Sequence, residues 1–324
     1  MEGTRALEGD KGPKRAGSVS SMEKIKHLLR NRDFIMILSL ITGLVWGEGA
    51  RWTEGLTLPV LAAIMTLSTM GIRGDVFRSP KDLLAPAFAG IGMSYLLLGG
   101  FLLLLSSLLI RDKAIGSGFV ILASVPPAVA VIPFTLFLKG NSTFSLIGTM
   151  GGYLGALVIT PLLAVGLLGA GFIDPGKLVI ILLELILLPL ILSRILLRTG
   201  IAWRIEPIKG AITNWSFFMV CYTIVGLNRE VFLTQPVTLM PVVIIALAST
   251  FFLGWAIEKV GQVVRIEPSK LTSLVLLGTL KNYGLAGGLA LALFSKKTAL
   301  PATVSAVFLV VYIIWLQLKL RKKG

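Results

Sequence analysis

The sequence predicts an all-α integral membrane protein with ten transmembrane helices, arranged as two inverted repeats of five helices. Three observations predict this fold class. First, 55% of the 324 residues are hydrophobic and 15% are charged, whereas soluble domains are about 45–50% apolar and about 25% charged. Second, apolar runs near the ~20 residues that a helix needs to cross a bilayer follow one another from Phe34 onward. Third, the fourth run of each half is interrupted.

The predicted spans divide the chain into two halves with a tail at each end. Residues 1–33 contain eight Lys and Arg residues and no hydrophobic run, so we expect a disordered basic cytoplasmic tail rather than a signal peptide. Residues 34–172 form the first predicted repeat, 177–318 the second, and 319–324 a short basic cytoplasmic tail. The spans are predicted at 34–50, 56–73, 83–110, 115–138, 142–172, 177–198, 211–227, 237–257, 271–295 and 299–318.

The positive charge indicates the orientation of these spans. The net charge is +15, which on a soluble protein would suggest a nucleic-acid partner. Here 23 of the 31 Lys and Arg residues lie in the two tails, in the loops after the even-numbered spans or at the span ends next to those loops, seven lie on the other side, and Lys281 lies inside a span. Because cytoplasmic loops are enriched in Lys and Arg, we expect both termini in the cytoplasm of a multi-pass plasma-membrane protein. The expected partners are the lipid bilayer and a small substrate, not nucleic acid, and the oligomeric state stays open.

The sequence lacks the residues that most enzymes and metal sites use. It has one cysteine, Cys221, and one histidine, His27, which excludes a disulfide framework and a Cys/His metal cluster. We find no paired acidic motif and no nucleophile–base pair in or beside a span, so we expect neither enzyme activity nor a cofactor. A channel would need a charge ring or a filter sequence, which we do not find. An enzyme and a channel therefore rank below a transporter.

Helix four is predicted to break at Pro126 and Pro127. Each proline removes a backbone donor, and its ring clashes with the carbonyl four residues earlier. Pro133 adds a third interruption. A simple proline kink, which membrane helices tolerate, is the alternative interpretation.

Helix nine has Lys281, Asn282 and Tyr283 followed by Gly284, well inside the predicted span. A lysine at the bilayer centre costs about 2.5–3.5 kcal/mol on insertion scales. The nearest span end lies roughly 15 Å away along the helix, which is far for snorkelling, so we predict a functional role for these residues. Interrupted helices at corresponding positions of two inverted halves indicate a secondary transporter that binds its substrate near the bilayer midplane.

Two further residues are candidates for the interior of the protein. Glu184 lies inside the predicted sixth span. It is either reached by water from one face, or it faces the interior as a partner for Lys281 or a proton carrier. Thr135 is an uncharged polar candidate for lining the cavity.

At the two interrupted segments the sequence resembles the bile acid:sodium symporter family, within the wider bile/arsenite/riboflavin transporter superfamily. The resemblance covers about residues 34–318 and rests on Pro126 through Pro161 and on Gly278 through Ala286. It implies ten helices in which helices four and nine are broken and cross. It also implies a core of helices three to five and eight to ten, a panel of helices one, two, six and seven, and an organic anion bound between them.

The resemblance also implies sodium sites, but only some of the implied ligand positions hold matching residues in this sequence. The two hydroxyls expected on helix five match Ser145 and Thr149, and a glutamine on helix three aligns with Ser94. Ser145 and Thr149 are thus residual sodium-site positions, and beyond them we expect no metal site. The other implied ligand positions hold side chains that do not coordinate sodium: Val131, Ile132, Leu277 and Lys281.

These replacements indicate that Lys281 supplies the charge that sodium supplies in the family, with Ser145, Thr149 and backbone carbonyls as its acceptors. We therefore predict a secondary active transporter of a small organic anion that works by alternating access without sodium. Proton coupling stays open if Lys281 can lose its proton, and sodium coupling is disfavoured. The alternative is a proton-coupled organic-anion efflux carrier of the auxin efflux carrier type.

Overall fold

The computed structural model describes residues 32–70, 80–128, 130–169, 175–227, 229–234 and 236–321. Within these ranges the chain forms helices and one isolated bridge, and it contains no β-sheet. The predicted all-α class is therefore confirmed. Most of the predicted N-terminal tail, the end of the C-terminal tail and residues 71–79 lie outside the described residues.

Among the described residues, the first half of the chain forms six helices of seven residues or more, of which the third continues through a π-helical segment. Their bounds are α1 (Arg32–Val45), α2 (Thr57–Thr69), α3 (Pro80–Ile91, π-helical Gly92–Gly99 and Gly100–Leu109), α4 (Lys113–Ser124), α5 (Val131–Phe137) and α6 (Ser142–Leu168). A short helix, Ala50–Thr53, and a 3₁₀ turn, Glu54–Leu56, connect α1 to α2.

The described part of the second half also forms six helices of seven residues or more, two of them with π-helical segments. They are α7 (Pro175–Leu182, π-helical Leu183–Leu187 and Leu188–Arg198), α8 (Ala202–Leu227), α9 (Pro236–Leu247, π-helical Ala248–Phe252 and Leu253–Val263), α10 (Pro268–Leu277), α11 (Tyr283–Leu293) and α12 (Leu300–Arg321). A short helix, Arg229–Thr234, precedes α9, and a 3₁₀ turn, Lys297–Ala299, precedes α12.

Six helices among the described residues are long and apolar enough to cross a membrane. These are Leu83–Leu109, Ser142–Leu168, Gly176–Arg198, Ala202–Leu227, Leu239–Val263 and Lys297–Leu316. The other four predicted spans correspond to shorter elements. The helix α1 has 14 residues and α2 has 13, and the predicted fourth and ninth spans are each interrupted. In addition, α8 begins at Ala202 rather than at 211, because the helix continues past the apolar run into a polar turn where Lys209 pairs with Glu206 at 3.2 Å.

Both predicted interruptions are present. The fourth span ends its first helix at Ser124 and resumes at Val131. The ninth ends at Leu277 and resumes at Tyr283, where the side chain of Asn282 caps α11 by accepting the N–H of Leu285 at 3.1 Å. An asparagine in this position satisfies a backbone donor that the helix start leaves free.

Glycines bring α3 and α6 into close contact. A Cβ added at Gly90 would overlap the carbonyl group of Gly148, and one added at Gly151 would meet Ala87. Small residues allow such a close approach of two helix backbones in a membrane, where packing rather than the hydrophobic effect holds helices together. By contrast, a Cβ added at Gly92, two residues further along α3, would meet nothing within 4 Å.

An ion pair joins the segments that precede α4 and α12. The Nζ of Lys297 lies 2.6 Å from Oδ2 of Asp112, and Oδ1 of Asp112 caps α4 by accepting the N–H groups of Ala114 and Ile115. The hydrogen bond from Lys297 holds the pKa of the Asp112 carboxyl below its ordinary value, and the two backbone N–H groups act in the same direction.

We expect Gly90→Ala to destabilise the protein by about 1–3 kcal/mol, the usual cost of overpacking, because the new methyl meets backbone that cannot move independently. The measurement is the thermal unfolding midpoint of the purified chain in nanodiscs. Gly92→Ala is the matched control and should leave the midpoint unchanged. Equal midpoints for both variants would contradict the close packing of α3 on α6.

We expect Asp112→Asn to lower stability at pH 7 by less than about 1 kcal/mol, since both partners are partly exposed and asparagine still caps a helix. A carboxyl whose pKa is lowered by folding stabilises the protein above its unfolded pKa, and this contribution is lost as the pH falls through the folded pKa. The difference in unfolding midpoint between wild type and variant should therefore close below about pH 4. A difference that stays constant from pH 7 to pH 3 would refute the ion pair. In a Lys297→Met background, Asp112→Asn should cause a smaller difference at pH 7, because only the two backbone N–H groups then favour the carboxylate.

Candidate functional site

The two interrupted segments pair with each other. Pro127 and Lys281 form an isolated antiparallel bridge. On one side of it the N–H of Ala128 donates to the carbonyl of Leu280 at 3.0 Å, and on the other the N–H of Asn282 donates to the carbonyl of Pro126 at 3.0 Å. Each interrupted segment thus supplies hydrogen-bond partners for backbone groups of the other. Backbone outside a helix needs such partners at membrane depth, because lipid offers none.

The ammonium group of Lys281 caps the C-terminal end of α4. The side chain is fully buried, and its Nζ donates to the carbonyls of Ala123 at 2.8 Å and Val125 at 2.7 Å. The last carbonyls of a helix have no partner within it and form the negative end of its dipole. The hydroxyl of Thr160 donates to the intervening carbonyl of Ser124 at 2.7 Å. Three successive carbonyls at the break are therefore satisfied by two side chains.

The ring of Tyr95 completes the surroundings of this ammonium group. Nζ of Lys281 lies 4.4 Å from the ring centroid, within the range of a cation–π interaction. Tyr95 lies in the π-helical segment of α3, and its hydroxyl donates to the carbonyl of Gly152 at 2.8 Å. The contacts described for this ammonium group are thus two carbonyls and an aromatic face, all of them neutral. No sequence motif marks Tyr95, since its role depends on how α3 packs.

The expected acceptors Ser145 and Thr149 do not receive the ammonium group, and this part of the prediction is wrong. The hydroxyl of Ser145 lies 2.7 Å from that of Thr135, which in turn lies 2.7 Å from the carbonyl of Val131. The hydroxyls of Thr149 and Ser94 are buried and have no partner among the described residues. The ammonium group of Lys281 binds the carbonyls at the end of α4 rather than these hydroxyls, because the carbonyls present the negative end of a helix dipole.

The structure does not bring Glu184 to Lys281. Glu184 lies in the π-helical segment of α7 with its side chain exposed, whereas Lys281 is fully enclosed. Of the alternatives considered for Glu184, a direct contact with Lys281 is therefore absent from the described part of the chain.

Asn282 and Tyr283 lie beside the paired breaks with different partners. The Nδ2 of Asn282 donates to the hydroxyl of Tyr153 at 2.7 Å, while the hydroxyl of Tyr283 lies 3.4 Å from the carbonyl of Thr279. Pro127 packs on Gly152, where an added Cβ would meet the proline ring. Gly152 therefore permits the close approach of α6 to the break that follows α4.

A cavity lies between α2, α5, α6 and α7, next to the paired breaks. A guanidinium nitrogen of Arg194, on α7, donates to the carbonyl of Thr69 in its wall at 2.5 Å. Within the described ranges no group of three or more His, Cys, Asp or Glu residues is placed to hold a metal ion. The cavity is lined by Thr69, Ile132, Thr149, Met150, Tyr153, Leu154 and Leu190.

A comparison with family models matches residues 80–321, more than half of the chain, to the SBF-like CPA transporter family. This family is related to the bile acid:sodium symporters, so the resemblance seen in the sequence is confirmed at that level. It is a transporter family, and with the apolar helices it indicates a multi-pass membrane protein. No curated protein matches the chain.

We expect Lys281→Met to destabilise the protein strongly. Methionine keeps much of the volume but leaves the carbonyls of Ala123 and Val125 unpaired, at about 1–3 kcal/mol for each buried group. The measurement is the unfolding midpoint in nanodiscs. Lys209→Met is the control, since it removes a lysine from an i,i+3 pair worth about 0.2–0.5 kcal/mol. A Lys281→Met variant as stable as the control would contradict the capping role.

Proposed function

The chain belongs to the SBF-like CPA transporter family, and from this premise we propose that it is a secondary active transporter that carries a small organic anion by alternating access. The observation that carries the proposal is a fully buried lysine, Lys281, whose described contacts at the paired breaks are all neutral. A charge in this setting is costly unless it is compensated. An anionic substrate bound nearby compensates it electrostatically.

The proposed architecture is ten spans in two inverted five-helix repeats. The broken fourth span of the first repeat consists of α4 and α5, and that of the second repeat consists of α10 and α11. The π-helical segments of α3 and α9 support the correspondence, because α3 and α9 are the third spans of the two proposed repeats. The distribution of Lys and Arg residues favours both termini in the cytoplasm, and we propose the plasma membrane as the location.

Two groups of hydrogen bonds support a division into a core and a panel. In the proposed core, Asn141 before α6 exchanges hydrogen bonds with Ser273 of α10 at 3.1 and 3.0 Å. In the proposed panel, the hydroxyl of Tyr222 on α8 donates to the carbonyl of Trp46 at 2.9 Å, and the hydroxyls of Thr53 and Thr223 lie 2.6 Å apart. Each group thus has internal hydrogen bonds that hold it together, as two bodies that move relative to each other require.

We propose that Lys281 supplies the charge that sodium supplies in related symporters, so that transport needs no sodium. Sodium sites are built from several oxygen ligands, and here aliphatic side chains and Lys281 stand at most of the implied ligand positions. The lysine holds the end of α4 in the way that a bound cation would, through backbone carbonyls. Coupling to protons remains compatible with this proposal.

We expect saturable uptake of at least one organic anion into proteoliposomes containing the purified chain, at the same rate in sodium and in N-methylglucamine buffers. Both faces are held at one pH, so that the anion gradient alone drives uptake. Lys281→Met should lower the initial rate more than tenfold because the compensating charge is gone, whereas Lys209→Met should keep it. An uptake rate that depends on sodium would contradict the proposal that Lys281 replaces the charge of sodium. Failure of every organic anion under both conditions would rule out the substrate class.

A further inference from the structure

The turn between α7 and α8 has a concentration of positive charge, on the cytoplasmic side in the proposed orientation. From Arg194 to Lys209 the chain contains four basic residues and one acidic residue. Glu206 pairs with Lys209, whereas Arg198 and Arg204 are exposed and form no ion pair with a described residue. The charges of these two arginines are therefore available to an anion outside the protein.

Gly200 brings the two arginines to the same short turn. Three residues separate Arg198, which ends α7, from Ala202, which begins α8. Gly200 has a φ of +73°, in the left-handed region that glycine adopts without strain and that commonly ends a helix. A guanidinium group binds phosphate through a planar set of N–H donors, so two of them at one turn are suited to a phosphate group.

The first turns of α8 extend beyond the apolar part of this helix. The helix has 26 residues, which corresponds to about 39 Å, whereas the hydrocarbon core of a bilayer is about 30 Å thick. Trp203 lies roughly 12 Å along the helix before the apolar run that begins at residue 211, and it is 70% exposed. Tryptophan is enriched at the level of the lipid headgroups, so these turns are suited to that layer and not to bulk water.

The exposed face of α8 changes from charged to aliphatic along the helix. Ile208 follows Arg204 by one turn and Ile212 follows Ile208 by another, so the three side chains lie on one face, and all three are exposed. The guanidinium carbon of Arg204 lies 5.4 Å from the ring centroid of Trp203, within the range of a cation–π interaction. This face therefore presents a cation and an aromatic ring at one end and an aliphatic surface along the rest, which complements an anionic amphiphile.

We propose that the turn between α7 and α8 binds an anionic phospholipid of the cytoplasmic leaflet. Its phosphate contacts Arg198 and Arg204, and an acyl chain lies along Ile208 and Ile212. The cytoplasmic leaflet is rich in anionic lipids, which attract basic residues close to the membrane. A soluble phosphate would occupy the arginines and leave the aliphatic face uncovered, whereas a lipid covers both. The inference uses the proposed orientation of the chain and does not depend on the transported substrate.

The test measures lipid binding to the purified full chain in detergent by native mass spectrometry. Wild type should bind phosphatidylglycerol more tightly than phosphatidylcholine, which has no net charge. Arg198→Gln/Arg204→Gln should bind phosphatidylglycerol about twentyfold more weakly, because each cation near an anionic membrane surface gives about a fivefold gain in binding. Arg198→Lys/Arg204→Lys keeps both charges and should retain most of the affinity. Equal affinity of wild type and the glutamine variant would overturn the inference.

The matched control is Lys139→Gln/Arg265→Gln, which removes two exposed cations from other loops on the same proposed side of the membrane. It should bind phosphatidylglycerol like wild type. An equal loss in both glutamine double variants would show a general attraction to positive charge and would contradict a site at this turn.

Two further measurements separate a lipid from other occupants of this face. Glycerol phosphate has the headgroup chemistry without acyl chains, and it should not displace phosphatidylglycerol at equal concentration. Displacement at equal concentration would assign the two arginines to a soluble phosphate and refute the lipid. A dimer that is present in wild type and lost in Arg198→Gln/Arg204→Gln would assign the face to a second copy of the chain, with the same consequence.

A fluorescence measurement tests the position of the acyl chain. Trp215 is exposed and lies one turn beyond Ile212 on the same face of α8. Trp215→Cys in a Cys221→Ala background provides a single thiol for a fluorescent label. In nanodiscs, phosphatidylglycerol with brominated acyl chains should quench this label more than the same fraction of brominated phosphatidylcholine, and Arg198→Gln/Arg204→Gln should abolish the difference. Equal quenching by both lipids in the chain with both arginines would refute the proposed position. Uptake of organic anions is measured separately, so either proposal can fail without the other.

Discussion

The structure depends on one constraint, which is that every backbone polar group at membrane depth must find a partner within the protein. Two breaks in helices release carbonyl and N–H groups at the same depth. They are satisfied by the bridge between Pro127 and Lys281, by the ammonium group of Lys281 and by the hydroxyl of Thr160. The break after α4 is therefore stable only together with the break before α11. This mutual dependence explains why the most unusual residues of the chain are concentrated here.

The sequence predicted the all-α class and both breaks, because prolines at Pro126 and Pro127 and a lysine within an apolar run act locally on the backbone. The ends of the helices were less predictable. An apolar run marks the part of a helix that lies in lipid and not the whole helix. The polar first turns of α8, which begins at Ala202, were therefore not included in the predicted span. The burial of Lys281 and the presence of backbone carbonyls among its acceptors were expected, but the identity of those carbonyls was not, since a single carbonyl carries no sequence signal.

Much of the candidate site was not predictable from local patterns. Tyr153 on α6 and Met65 on α2 come together only in the packed structure, where the hydroxyl of Tyr153 donates to Sδ of Met65 at 3.6 Å. Neither residue belongs to a polar motif, and methionine in an apolar helix is ordinarily a core residue. A donor directed at a thioether arises from the packing of two helices and has no counterpart in the local sequence.

The contact between Lys281 and the end of α4 also has a consequence for biosynthesis. The two partners are 158 residues apart in the chain, and the N-terminal part of a polypeptide is made first. The carbonyls at the end of α4 therefore lack their final hydrogen-bond donor until the segment containing Lys281 emerges from the ribosome. During that interval they need temporary hydrogen-bond donors, which water, the translocon or lipid headgroups can supply. The late arrival of one lysine thus completes a helix end that was synthesised long before it.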